Sequence, residues 1–358
     1  MTSRESTAAP ATAVRFLARA AALAVASVAA YVVVGCARGT DNPANQTAIQ
    51  SYVQGVRAYN DGDPDKAMAS FQAALAKQSD LVMARSMLGD LLRARSDYEA
   101  AREQYAALVQ LDPYYFFHHY RLGLSYQFLE QLNEAARSYA RAIDLKPTDA
   151  PSNTSLGTVY FALAARDPDP NSAEALALRT KAATYAQRAT ELDPRSPAAF
   201  LNLGLILDAN GDYAKAESAY RKSLDLDSSQ TLVQLYLAEN LIQQKKFGEA
   251  RSVLSELVRV NDTPLHRKRM GDAFAGEKDF AGAISQYQTA LKLDPQYYPA
   301  LNEIGAAHIA DYEKGLTLDD TKRKAALDSW QQSLSIKREQ PRIVALVQKY
   351  AKAPMFQP

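Results

Sequence analysis

A glycine recurs at Gly55, Gly89, Gly123 and Gly157 in equal steps, returns at Gly204 after a step lengthened by an insertion, and continues as Ala238, Gly271 and Gly305 at the original spacing to within one residue. A regular step of about 34 residues is the mark of stacked helical hairpins, each too small to bury its own apolar face and completed by the next. Other positions keep the same step. Twelve places after the glycine stand Ala67, Ala101, Ala135, Ala216, Ala250 and Ala283, and sixteen after it Phe71, Tyr105, Tyr139, Tyr220, Leu254 and Tyr287. Just before it come Leu88, Leu122, Leu156, Leu203, Leu237, Met270 and Ile304. Prolines at 113, 147, 194 and 295 punctuate helix ends, where the ring stops one helix and starts another.

Leu122-Gly123-Leu124-Ser125-Tyr126 and Leu156-Gly157-Thr158-Val159-Tyr160 carry a Leu-Gly-x-x-Tyr motif. With the period, they resemble the tetratricopeptide repeat (TPR) over nearly all of the chain from Ala48 to about Arg338. The resemblance implies an all-α, right-handed superhelical solenoid of about eight hairpins, beginning near 48, 82, 116, 150, 197, 231, 264 and 298. Small residues then mark the helix crossings, and the aromatics fill space between neighbouring repeats. Residues 48–340 form the solenoid, with insertions near 166–180 and 312–324 at turns inside the hairpins. Residues 341–358 supply a C-terminal capping helix and tail, as solenoid ends require.

The segment before position 48 differs in character. Arg4, Arg15 and Arg19 precede an uncharged stretch from Ala20 to Gly35, the order of an export signal and too short for a bilayer-spanning helix. Val33-Val34-Gly35-Cys36 resembles the lipobox of bacterial lipoprotein precursors. That implies a signal peptide over 1–35, cleavage before Cys36 and lipidation of its thiol, the only one in the chain. Ala37, where an inner-membrane lipoprotein tends to carry Asp, points to the outer membrane facing the periplasm. Residues 36–47 are polar and turn-rich and read as a tether of ~18 Å.

Chemistry finds little support. No GxxxxGK[ST], HExxH or GxSxG motif occurs. His118 and His119 are adjacent and point about 100° apart on a helix, so they cannot chelate one ion together. Asp61, Asp63 and Asp65 open like a calcium loop, but Lys66 and Gln72 stand where Gly and Glu are needed. No enzyme, cofactor or metal is expected. A formal charge of +1 makes nucleic acid an unlikely main partner.

In a TPR solenoid the first helix of each hairpin lines the concave face. That rule assigns a groove to Tyr52, Tyr59, Met83, Phe117, Tyr120, Leu124, Phe128 and Phe161, which serve either as a recognition surface or as inner packing. Later repeats offer Leu201, Leu205, Leu232, Leu235, Ile242 and Lys268, with Asp208, Glu239 and Asp272 among them. The expected function is a membrane-anchored scaffold for proteins or peptides of the cell envelope; TPR lipoproteins of this layout include assembly factors for pilus secretins, peptidoglycan enzymes and outer-membrane proteins. The alternative is a periplasmic glycan- or small-ligand-binding module, with the aromatics stacking on sugar rings.

Overall fold

The computed structural model describes residues 43–314 and 320–351. All of its regular structure is helical. In chain order the helices are α1 (Pro43–Asn60), α2 (Pro64–Lys77), α3 (Val82–Ala94), α4 (Tyr98–Leu111), α5 (Phe116–Phe128), α6 (Leu132–Leu145), α7 (Ala150–Ala165), α8 (Ala173–Leu192), α9 (Pro197–Ala209), α10 (Tyr213–Leu226), α11 (Thr231–Gln243), α12 (Phe247–Val260), α13 (Pro264–Gly276), α14 (Phe280–Leu293), α15 (Tyr298–Lys314), α16 (Asp320–Ile336) and α17 (Pro341–Ala351). They pair into eight antiparallel hairpins and one closing helix. The chain divides into two compact units, Met1–Ser152 and Asn153–Pro358. The expected signal peptide, Cys36 and most of the expected tether lie outside the described residues. The last residues of the expected tether are already helical, because α1 begins at Pro43.

Local chemistry sets the helix boundaries. Asp63, Asp97, Ser172, Ser196, Thr263 and Asp279 each accept a backbone N–H three residues on, satisfying a donor the helix start leaves over. Pro64, Pro197 and Pro264 stand in the first turn, where a missing N–H costs nothing. The acidic run at 61–65 is such a turn: Asp63 caps α2 and Asp65 pairs with Arg95. Six of the turns inside hairpins pass through a left-handed residue, Gly62, Ser96, Glu130, Gly211, Lys245 or Lys278.

The repeated small residues are crossing points. Ala67, Ala101, Ala135, Ala216, Ala250 and Ala283 are all completely buried. A Cβ added at Gly55, Gly89, Gly123, Gly204 or Gly271 would come within 2.3–2.8 Å of the ring of Phe71, Tyr105, Tyr139, Tyr220 or Tyr287. Each ring therefore lies against the glycine of its own hairpin, and Tyr220 also stacks on Tyr236 of the next first helix, centroids 6.2 Å apart. Two hairpins vary the pair. In the sixth, Ala238 replaces the glycine and Leu254 the aromatic, and both are fully buried. In the fourth, Ala182 and Ala186 face Gly157, whose added Cβ would meet their backbone at 3.1 and 3.2 Å. Crossing volume is thus balanced within each hairpin, as close packing demands.

The fourth hairpin takes up only part of its insertion at the turn. Only residues 166–172 form a loop, while α7 and α8 have 16 and 20 residues against 13 and 14 in α5 and α6. Most of the extra chain is therefore helix, because its alanine-rich sequence favours extending the helices over leaving backbone groups unpaired. In the eighth hairpin both helices reach 17 residues, and residues 315–319 lie outside the described segments.

Polar ties link successive hairpins of the second unit. Glu217 on α10 accepts from Lys246 Nζ at 2.7 Å, Gln244 Nε2 at 2.8 Å and Arg221 Nε at 2.9 Å. Burial works against its charge, but these three donors prevail and hold the carboxyl at about 2. A folded-state value below the unfolded one adds stability that is complete above the ordinary glutamate range and is lost as pH falls through it towards 2. Arg221 and Lys246 are 45% and 40% exposed, so solvent screening reduces the contribution to about 1 kcal/mol. Glu217→Gln is expected to remove that part of the acid sensitivity, read as a smaller loss of unfolding midpoint between pH 5 and pH 3. An unchanged acid profile would show that the tie carries no net energy.

Candidate partner-binding surfaces

In the first unit the first-helix positions separate into core and surface. Tyr52, assigned to the groove from the sequence, is 7% exposed and its ring lies 5.8 Å from that of Phe71. A phenol at this position of α1 is long enough to reach α2, so it completes the core instead of facing a partner. Tyr59 is half-buried against the same cluster. Met83 on α3 is exposed and Leu124 on α5 half-buried. Phe128 is exposed at the end of α5 and stacks on Tyr98, centroids 4.5 Å apart and rings nearly parallel. Phe161, on α7, belongs to the second unit, where it packs half-buried against the core.

Arg121 organises this surface. Phe117 and Tyr120 stack one turn apart on α5, centroids 5.8 Å apart at 13°. The Arg121 guanidinium sits 4.3 Å from the Phe117 centroid, within cation–π range. It donates to Asp90 Oδ2 at 2.7 Å and also to Ser86 Oγ, joining α5 to α3. Asp90 in turn accepts from the Tyr105 hydroxyl at 2.7 Å. Burial, reinforced by the Asp90 carboxylate, drives the Tyr105 phenol far above its ordinary value, so it remains a donor. Aspartate directly after one repeat's glycine, with arginine two places before the glycine of the next repeat, is a signal that could have flagged the pair.

The second unit presents a different face. Its first helices α9, α11, α13 and α15 touch one another in succession, and along them opens a cleft of about 420 Å3. Asp208, Glu239, Asp272 and Glu303, one from each helix, line it together with Lys268 and Arg269 from α13. Lys268 Nζ donates to Asp272 Oδ2 at 2.9 Å and lies 3.5 Å from Glu303 Oε1. Arg269 donates through Nε to Glu239 Oε1 at 2.6 Å and through a terminal nitrogen to Asp272 Oδ2 at 3.2 Å. Asp208 accepts from the Asn240 side-chain amide at 2.5 Å, and burial pushes its carboxyl above the usual range. Of the apolar positions assigned to this face, Leu235 is core at 7% exposure, Leu201, Leu205 and Ile242 are half-buried, and Leu232 is exposed.

The histidines are packing residues. His118 is 3% exposed, and burial pulls its imidazole below the ordinary value. His119 Nε2 donates to the Pro113 carbonyl at 2.9 Å and His266 Nδ1 to the Asn261 carbonyl at 2.7 Å. Among the described residues no three His, Cys, Asp or Glu side chains converge as a metal site, and no helix is long and apolar enough to cross a membrane.

Models of the tetratricopeptide repeat match residues 52–116 and 171–231, 209–268, and 119–149, together more than half of the chain. Superkiller complex protein 3 of Mus musculus is 21% identical over 262 residues, 72% of this chain, which spans 14% of that relative's length. A crystal structure of a tetratricopeptide repeat protein from Parabacteroides merdae superposes with a TM-score of 0.51 at 14% identity, covering 70% of this chain and 94% of that one. The Cut9–Hcn1 hetero-tetramer of the APC/C gives 0.50 at 14% identity, covering 81% and 53%. Pseudomonas aeruginosa pilF gives 0.50 at 15% identity, covering 63% and 96%. At such identities the structural likeness speaks for the fold alone.

Proposed function

This chain belongs to the tetratricopeptide-repeat family, and from that premise we propose that it is a non-catalytic scaffold, lipid-anchored through Cys36 on the periplasmic face of the outer membrane, that assembles a cell-envelope protein complex. The observation that carries the scaffold reading is the Phe117, Tyr120 and Arg121 cluster on α5. Aromatic and arginine side chains dominate protein–protein binding energy when they are held rigid before contact. Here the stack and the Asp90 pair hold them in advance, Leu124 follows on the same helix, and Met83 is exposed on α3, to which Arg121 ties α5. Support for the anchor comes from the Val33-Val34-Gly35-Cys36 segment, and for the outer membrane from Ala37.

The test places a photo-crosslinking residue at Met83, at Leu124 or at Glu103, an exposed position on the second helix of its hairpin, in cells of the source organism. The same envelope protein is expected from Met83 and Leu124 and not from Glu103, and Phe117→Ala should abolish its capture. Equal capture at all three positions would remove the surface from consideration. Cys36→Ser in the same cells should move the chain from the membrane to the soluble fraction. Retention at the membrane would refute the lipid anchor while leaving the scaffold reading open to the crosslinks.

A further inference from the structure

One turn between hairpins of the first unit departs from the pattern of the others. Asp80, Thr148, Arg195, Ser229, Asp262 and Gln296 each stand two places before a first helix, polar or charged as a turn in water requires. At the same place before α5 stands Tyr114. Leu111 to Tyr115 are five consecutive exposed residues, and three of them carry large apolar side chains: Leu111 is 43% exposed, Tyr114 77% and Tyr115 46%. The repeat does not call for this exposure, and a contiguous apolar patch marks a surface that something covers.

The position of the patch says what that is. Lys77 at the end of α2 donates to the Thr47 carbonyl near the start of α1, and Lys146, just past α6, lies 4.3 Å from the Phe116 ring at the start of α5. Both α1 and α5 are first helices and run the same way, so the turn at 111–115 shares one edge of the first unit with the start of α1. Cys36 stands seven residues before Pro43. A chain reaches at most ~3.6 Å per residue, so a lipid on Cys36 holds the start of α1 within about 25 Å of the bilayer.

We propose that Leu111, Tyr114 and Tyr115 seat this edge in the membrane interface, as a second contact beside the lipid on Cys36. The proposal rests on the lipid-anchor reading and goes beyond it by giving the anchored chain an orientation. One point of attachment leaves the first unit free to turn, and a second on the same edge removes that freedom. Tyrosine suits the headgroup layer, where its ring meets the acyl boundary and its hydroxyl stays wet. Asp112, exposed in the same run, limits the depth, so the contact lies in the interface and does not enter the hydrocarbon core.

The lipidated full chain, purified from membranes, is reconstituted into vesicles of phosphatidylethanolamine and phosphatidylglycerol with phosphatidylcholine brominated near the glycerol end of its acyl chains. Tryptophan quenching is then read. Trp330 is 1% exposed and supplies a constant background. Tyr114→Trp keeps an interfacial aromatic and is expected to be quenched severalfold more than that background. Glu99→Trp, in the first turn of α4 and about 18 Å from Leu111 along that helix, should stay at background. Leu111→Glu added to Tyr114→Trp should cut the quenching by about half or more, because the new charge draws the turn out of the interface. Circular dichroism confirms that each variant is folded. No quenching at 114, equal quenching at 114 and 99, or quenching at 114 that Leu111→Glu leaves untouched would each overturn the proposal. Blue-shifted emission at 114 that grows with protein concentration in detergent, without quenching by the brominated lipid, would assign the patch to a second copy instead. Flotation with the vesicles reads the anchor separately. A chain that floats without quenching at 114 loses this proposal and keeps the lipid anchor, whereas one that fails to float, as Cys36→Ser should, loses both.

Discussion

Trp330→Ala is expected to remove about 3–5 kcal/mol from the C-terminal hairpin and to release α17. Trp330 is the only tryptophan of the chain and is 1% exposed. Its indole fills the crossing at Gly305, where an added Cβ would meet the ring at 2.3 Å. It packs with Ile309, Tyr312, Ala326 and Ile343, and its ring lies 6.0 Å from that of Tyr350. The indole N–H donates to the Asn302 carbonyl at 3.1 Å. Asn302 then gives its amide to Gln340 at 2.8 Å and accepts from Ser333 at 2.6 Å, which joins α15, α16 and the entry to α17. Removing the ring opens a cavity that faces this network. Repeat stability is nearly a sum of local and nearest-neighbour contributions. The loss should therefore appear as an early transition in urea, followed by circular dichroism, with the remaining repeats unfolding near their original midpoint. Trypsin cleavage within α17 should accelerate under native conditions. A single unshifted transition would show that the terminal hairpin does not depend on this ring.

The repeat architecture was legible because its determinants are local and periodic. A glycine and an aromatic at a fixed offset report one helix crossing, and the crossing recurs whether or not its neighbours are known. Legibility ended where a side chain had a choice. Tyr52 and Tyr120 both stand three places before the glycine, and each ring lies 5.8 Å from the crossing aromatic of its hairpin, Phe71 or Tyr139, yet Tyr52 is buried while Tyr120, which also stacks on Phe117, is half-buried. The two side chains are identical, so the neighbours around each ring decide between these outcomes, and those are not written in the period. The pairing of Arg121 was not legible because its partner Asp90 lies on the preceding hairpin, outside the reach of any pattern along one helix. Asp208, Glu239, Asp272 and Lys268 were assigned to the later face by their repeat positions, whereas Glu303 and Arg269, which complete its lining, were not. The insertion near 166–180 read as a turn because Asp-Pro-Asp-Pro dominates its start, while the alanines after it gave their length to α8.

The size balance at each crossing leads to the second large expectation, in which sign matters more than magnitude. In an open helix, Gly→Ala gains about 1 kcal/mol from backbone entropy. Gly55→Ala is expected to do the reverse and lose about 1–3 kcal/mol, because the new methyl would sit 2.6 Å from the Phe71 ring. Phe71 is completely buried and wedged against α1, so it has no solvent to swing into. Phe71→Leu alone should also destabilise, by leaving a gap over the glycine. Together the two changes recreate the pair that Ala238 and Leu254 already form in the sixth hairpin. The double variant should therefore be more stable than the sum of the single losses, by about 1 kcal/mol or more of coupling. Phe71 carries no hydroxyl, so no hydrogen bond confuses the cycle, unlike the tyrosines at Gly89 and Gly271. Urea unfolding of the four proteins yields the coupling directly. Additive losses would mean that the crossings tolerate volume independently of their partners, and that the period reflects helix approach alone.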